Sequence, residues 1–365
     1  MKITGFKISM VSIPFEKDIS SSTVTLKGYD FIIITLQTDE GIDGLGHVMT
    51  PGYGTSAIYS VIKDDLCPIL IGRDPFQPEY IWEEMWNKTK FFGQYGVTIF
   101  GMAAIDMCVW DIIGKACNQP LYKILGAYSY NIPVYASGGW LSYSIEELIR
   151  EVEDYMNEGY DSVKIKIGHE NPEKDYQRIK AVRKVVGENV RIMVDANQKW
   201  SASEAIQIGK KLQDLGVTWF EEPIQADDLE GHSKVTEALN LDIAAGESVY
   251  ALNGFKNLIT NSSLNVVQIN YFRAGGITQW RKIAALAKAW NLPVSSQSNI
   301  EVQVHLMTTI PNSLIMENHT MLRKYMKKVF KQLPQIKNNT IRPMDVPGVG
   351  LELLPAILKK HNNYC

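Results

Sequence analysis

From Ile132 onward the chain alternates short apolar stretches with amphipathic helical ones, and this rhythm leaves few architectures open. Strand candidates fall at residues 132–137, 162–167, 190–195, 217–221, 243–247, 266–270, 293–297 and 313–317. The helical stretches between them carry start signals. Ser144-x-x-Glu147 and Ser201-x-x-Glu204 are capping boxes, and the first opens a helix with Leu148, Val152, Tyr155 and Met156 on one side. Eight repeats of strand and helix argue for a closed parallel α/β barrel over an open sheet.

Upstream of the barrel the pattern differs. Residues 2–14 and 31–37 are rich in β-branched and apolar residues, and helical spacing takes over from about Ser56 to Lys115, which predicts an α+β domain over residues 1–126. The barrel then spans 127–320. The tail, 321–365, has a basic helix (Arg323, Lys324, Lys327, Lys328) and a Pro347-Gly348-Val349-Gly350 turn, and is expected to pack back on the first domain. A length of 365 residues accommodates such a barrel with an accessory domain.

Composition narrows the partners. With 21% charged residues and a formal net charge of -3, nothing favours nucleic acid or an anionic membrane. No GxGxxG follows a strand and no GxxxxGK occurs, so nucleotide binding has no motif. Met1 to Phe15 lacks the features of a secretory signal and no apolar run looks long enough to span a bilayer, so a soluble, cytoplasmic protein is expected. Cys67, Cys108, Cys117 and Cys365 lack metal-binding spacing.

Chemistry in a parallel barrel sits where the strands run out into loops. Along Ser162 to Gly168, strand alternation puts Val163, Ile165 and Ile167 on one face and Lys164 and Lys166 on the other. With the apolar face against helices, both lysines point inward, where an unpaired ammonium is costly. The last inward residues of successive strands are Lys166, Asp195, Glu221, Glu247, Asn270, Gln297 and Glu317. Three consecutive strands thus end in carboxylates, which repel one another unless a cation compensates. Oxygen donors without His or Cys favour Mg2+, with Asp195, Glu221 and Glu247 as ligands. Asn197 can add a neutral hydrogen bond, and alternation turns Glu222 away from the lumen.

Together, Lys164-x-Lys166, Val-Asp195-Ala-Asn197, Trp-Phe-Glu221-Glu222-Pro223, Ala-Gly-Glu247-Ser, Arg-x-Gly275-Gly276-Ile and the earlier Trp110-Asp-Ile-Ile-Gly-Lys115 resemble the enolase superfamily, in its mandelate racemase/muconate lactonizing enzyme branch. The resemblance covers nearly the whole chain. It implies a modified (β/α)7β TIM-type barrel capped by the N-terminal segment and the tail, and Mg2+ on Asp195, Glu221 and Glu247. It also implies removal of a proton next to a substrate carboxylate. Lys166 would be the base, Lys164 would support it and contact the carboxylate, and Glu317 would hydrogen-bond the substrate. A homo-oligomer is implied as well.

The opposite wall departs from the pattern. Racemase-like members place an Asp and a His at the ends of strands six and seven, and lactonizing-like members a Lys at strand six; this chain has Asn270 and Gln297. Amides can bind a hydroxyl or an oxyanion but do not exchange protons at neutral pH. One-base chemistry fits: Lys166 removes the α-proton and, as its conjugate acid, assists loss of a hydroxyl, a syn dehydration of a hydroxy acid such as a sugar acid. Epimerisation or cycloisomerisation is the competing reading, and a non-catalytic metal- and carboxylate-binding protein is the alternative of another class. Glycoside hydrolysis leaves Lys164 and Lys166 unexplained. A second base from the capping loops, His47 or Tyr53, stays open. Arg273 reads as a substrate clamp or an ion-pair partner, Tyr135 and Ser137 as shaping the pocket, His169 as a solvated loop residue and His305 as structural. Specificity is expected in the loops around residues 16–24 and 47–55.

Overall fold

The computed structural model describes residues 1–261 and 264–362; Cys365 lies outside them. The N-terminal sheet is an antiparallel meander of β1 (Ile3–Ser20), β2 (Thr25–Thr38) and β3 (Gly44–Thr50). Its central strand is buried on both faces at Phe31, Ile32, Ile33 and Ile34, as its unbroken apolar run requires. Short helical segments follow over residues 55–70, and the two longest helices of this part are α1 (Pro78–Lys88) and α2 (Val97–Ala116). Helix α2 lies directly on β3, where a Cβ at Gly44 or Gly46 would come within 2.1 Å of the Cys108 or Ala104 carbonyl oxygen. Glycine is what permits that approach.

Contrary to the expectation from the sequence, one helix is long and apolar enough to cross a membrane: α2 has 20 residues and a hydropathy of 1.6. It is a core helix, with 89% of that apolar window buried in the fold. On one side it meets the sheet, and on the other it is bonded to the segment after the sixth barrel strand, a short helix at Tyr271–Ala274 and the start of the helix Ile277–Ala289. Asp106 accepts from the Thr278 backbone N–H at 2.9 Å and hydroxyl at 2.6 Å, and Trp110 Nε1 donates to Thr278 Oγ1 at 2.9 Å. Tyr271 donates to the Ala103 carbonyl at 2.7 Å, and Trp82 of α1 to that of Gly275 at 2.8 Å.

Eight parallel strands form the closed barrel: β4 (Ile132–Gly138), β5 (Ser162–Lys166), β6 (Arg191–Asp195), β7 (Val217–Glu221), β8 (Asp242–Ala245), β9 (Val266–Asn270), β10 (Val294–Gln297) and β11 (Ser313–His319). Neighbours follow chain order, and β11 closes on β4. Both capping boxes form, at Ser144 with Glu147 and at Ser201 with Glu204. Two strand ends differ by two residues from the pattern-based limits. β8 stops at Ala245, leaving Glu247 in the loop, and β11 runs on to His319. Tyr135, Met193, Trp219, Ala244, Val266 and Ile315 form a separate apolar cluster from the barrel strands.

The tail divides its contacts instead of serving the first domain alone. β12 (Ile336–Lys337) and β13 (Thr340–Ile341) make a hairpin, and β13 pairs antiparallel with β4 at Ile132 and Pro133, just before β11 takes over at Val134. The final helix, Pro355–Asn362, returns to β1 and β2, where His361 bonds Ser9 Oγ at 2.7 Å and Thr35 Oγ1 at 2.9 Å.

His305 is structural. It is fully buried and donates Nε2–H to the Val349 carbonyl at 3.1 Å, and burial pushes its pKa down to about 4. The unfolded chain therefore takes up this proton near pH 6.5, before the folded one does, so stability is lost as pH falls from about 6.5 through about 4. The expected loss from His305 is on the order of 3 kcal/mol. Urea unfolding of the wild type and His305→Gln across that window checks this; an equal slope in the variant would refute it.

Candidate active site

The barrel register aligns the strand-end groups. Lys166 lies beside Asp195 and Asp195 beside Glu221, while Asn270 lies beside Gln297. Glu247 joins from the loop through Gly246, whose φ of 128° and 2.5 Å approach to the Gln268 carbonyl exclude a side chain. One carboxylate oxygen from each of Asp195, Glu221 and Glu247 lies within 4.8 Å of the others, and all three residues are buried. These hard oxygen donors suit Mg2+.

Lysines neutralise part of this charge. Lys164, 1% exposed, places Nζ 2.7 Å from both Glu221 oxygens, 2.8 Å from Glu317 and 3.8 Å from Asp195. Lys166 pairs with Asp195, which also accepts the Asn197 backbone N–H at 2.9 Å. Trp219 Nε1 and Gln268 Nε2 donate to Glu221 at 3.2 and 3.0 Å.

The balance is uneven. Burial pushes Glu221 well up, and the charges of Asp195 and Glu247 add to it despite Lys164; Glu247 is raised by burial and Asp195. Asp195 is lowered, because Lys166, Lys164 and the Asn197 N–H outweigh its burial. Glu317 falls to about 2, since Lys164 outweighs burial there. Two acids raised by burial and mutual repulsion mark a centre short of positive charge, which a divalent cation on these carboxylates would supply.

The lysines run against the sequence argument that one ammonium would push its neighbour down into the working range of a base. Lys166 is raised: burial and Lys164 lower it, but the Asp195, Glu247 and Glu221 carboxylates prevail. Lys164 is raised further by Glu221 and Glu317 against its burial.

Above the centre is a cavity of about 580 Å³, lined by Lys166, Glu247, Glu317, Asn197, Asn270 and Gln297. Asn270 Nδ2 donates to Gln297 Oε1 at 2.6 Å. The capping region supplies residues from both expected loops, including Val24, Pro51 and the exposed Tyr53. Arg273 lines the cavity, donates to the Glu247 carbonyl at 2.9 Å and packs against Phe100 and Tyr250.

Several residues lie elsewhere than the sequence suggested. Glu222 does not turn away: β7 has ended, its φ is +36°, and its buried carboxylate faces the cavity beside Gln198 and Ser248. Burial with Glu247 and Asp195 nearby pushes it up to about 8. His47 is on β3, not in a loop; it is fully buried, 3.3 Å from Glu301 and packed against Phe330, so it is not a second base. Tyr135 belongs to the apolar cluster and lies with its ring 5.4 Å from Lys164 Nζ. Ser137 is buried outside the cavity lining, and His169 is bonded to Asp175 at 2.6 Å instead of being free in a loop.

Among the cavity residues that escaped sequence reading, Trp140 and His319 lie nearest the lysines' wall. Trp140 follows β4, with Lys166 Nζ 5.7 Å from its ring centre. His319 sits two residues after Glu317, so the alternation that placed Glu317 inward applied to it as well once β11 was long enough.

Known proteins agree with this architecture. Residues 4–126 match the mandelate racemase/muconate lactonizing enzyme N-terminal domain, and residues 147–357 the enolase C-terminal domain-like family. Arabinonate dehydratase of Saccharolobus solfataricus is 32% identical over 372 residues, covering 98% of each chain. The 3,6-anhydro-alpha-L-galactonate cycloisomerase of Streptomyces coelicolor is 30% identical over 353 residues, covering 96% of this chain and 97% of its own. The crystal structure of L-talarate/galactarate dehydratase from Salmonella typhimurium LT2, liganded with Mg and L-lyxarohydroxamate, superposes with a TM-score of 0.93 at 27% identity, covering 98% of this chain and 92% of that one. Family, barrel, cap and buried carboxylate group lead to one assignment: the chain belongs to the enolase superfamily, in its mandelate racemase/muconate lactonizing enzyme branch.

Proposed function

We propose that this protein is a Mg2+-dependent hydro-lyase that dehydrates a hydroxy acid of the sugar-acid class. The observation that carries this reading is the hydrogen-bonded amide pair Asn270–Gln297, which faces the lysines and exchanges no protons. Resident acid/base chemistry then belongs to the lysine wall. Inversion at the α-carbon ordinarily needs a group on each face, whereas elimination with both events on one face needs one.

Asp195, Glu221 and Glu247 would hold the Mg2+, which supplies a Lewis acid for the substrate carboxylate. Lys164 adds a fixed positive charge beside Glu221 and Glu317. Lys166, at the cavity surface, removes the α-proton in its neutral form, which Mg2+ on Asp195, Glu221 and Glu247 would favour by offsetting the carboxylate charge that otherwise raises it, and returns the proton to the departing hydroxyl on the same side. Asn270 and Gln297 bind oxygens on the far side, and Glu317 accepts a substrate hydroxyl. The names of the relatives support hydroxy-acid chemistry in this family.

Incubation with Mg2+ and a panel of aldonates and aldarates in D2O tests the reading. Deuterium exchange accompanied by a keto acid is expected. Inverted or cyclised product without keto acid would move the protein to the isomerases. Absence of exchange together with ligand-induced thermal protection would favour a binding protein.

A further inference from the structure

His319 is a cavity group that the acid/base chemistry above does not use. His319 is at the end of β11, its ring centre 5.4 Å from that of Trp140, the indole that Lys166 also overlies. Lysine and imidazole thus share one wall. Nδ1 accepts the Leu322 backbone N–H at 3.1 Å, capping the helix Thr320–Met326. An N–H directed at Nδ1 requires a lone pair there, so the neutral ring carries its single proton on Nε2. Burial outweighs the pull of Glu317, and the two lysines push the same way, holding the imidazole down at about 4. The ring is neutral in ordinary buffers. Nε2 is left as a donor that cannot accept, on a residue that lines the cavity.

We propose that His319 binds substrate, its Nε2–H donating to a hydroxyl oxygen on the Lys166 wall, and that it selects polyhydroxy acids against amino-acid carboxylates. A substrate ammonium has no lone pair to offer this donor, and the Lys164 ammonium repels it. This rests on the carboxylate-substrate reading given above.

The competing explanation is that His319 only caps its helix, and the choice of variants separates the two. His319→Asn keeps an acceptor for the Leu322 N–H but loses the reach of Nε2. His319→Gln keeps a donor at that reach. Titration calorimetry is done in the Lys166→Ala background with Mg2+, where turnover does not interfere. The probes are C5 and C6 aldonates and aldarates, their deoxy analogues, and alanyl-glutamate and proline as amino-acid probes.

For the tightest-binding hydroxy acid, His319→Asn is expected to weaken binding about tenfold at unchanged melting temperature, and His319→Gln to recover most of it. One deoxy analogue should be indifferent to the replacement, identifying the hydroxyl contacted. Unchanged binding in His319→Asn, preference for the amino-acid probes, or equal weakening for every analogue would overturn the proposal. Failure of the lyase reading is separately visible, as absence of keto acid from the wild type while these binding differences persist.

Discussion

Replacing Lys166 with alanine is expected to lower α-proton exchange and product formation by at least about 10²–10⁴-fold, the usual contribution of a positioned acid/base group. A loss at the upper end is anticipated because the amides on the facing wall exchange no protons. The fold should tolerate the change. Lys166 lies at the cavity edge, and Asp195 keeps the Asn197 N–H at 2.9 Å and Lys164 at 3.8 Å. Mg2+ binding should persist, because the three carboxylates are untouched. Deuterium incorporation followed by NMR, with Mg2+ titrated calorimetrically in parallel, checks both parts. Exchange above a tenth of the wild-type rate would remove Lys166 from its role.

The second large effect concerns stability. Lys164→Met removes an ammonium that is 1% exposed and touches Glu221 and Glu317, leaving buried carboxylates without their partner. Breaking a buried pair from one side costs about 3–5 kcal/mol. Mg2+ should restore part of this, because it neutralises Glu221 directly but Glu317 only at a distance. Urea unfolding in EDTA and in Mg2+ should therefore show a larger stabilisation by the metal in the variant than in the wild type. An equal deficit in both conditions would show that Lys164 is not the counter-charge of the metal-binding acids.

Period and position made much of this site legible in the sequence. The alternation in Ser-Val-Lys-Ile-Lys-Ile puts Lys164 and Lys166 on one face whatever the rest of the chain does, and one strand–helix repeat carries Asp195 and Glu221 to the same rim. Where the backbone leaves the strand, alternation ceases to apply. Glu222 faces the cavity because its φ turns positive beyond β7, and Glu247 reaches the carboxylate group from a loop through Gly246. His47 shows a different limit: only the packing of β3 under Phe272 and Phe330 distinguishes a buried histidine from a loop base. The pKa order of the lysines depended on how many carboxylates converge on them, a three-dimensional fact that no spacing contains.

The hydrogen bonds between α2 and the segment Tyr271–Thr278 bear on how this scaffold can be rebuilt. The amide wall precedes that segment in the chain and shares its footing on the capping helix, whereas Lys164 and Lys166 are carried by the barrel strand β5. A chimaera that exchanges the cap while keeping the native segment after the sixth strand would unseat Asp106 from Thr278 and shift Asn270 against Lys166. Residues 97–116 and 271–278 therefore form one transplantable module, the loop at 21–24 has to travel with the barrel segment to which Ser22 Oγ donates at 2.6 Å, the Ala196 carbonyl, and the loop at 51–54 is the part left for redesign.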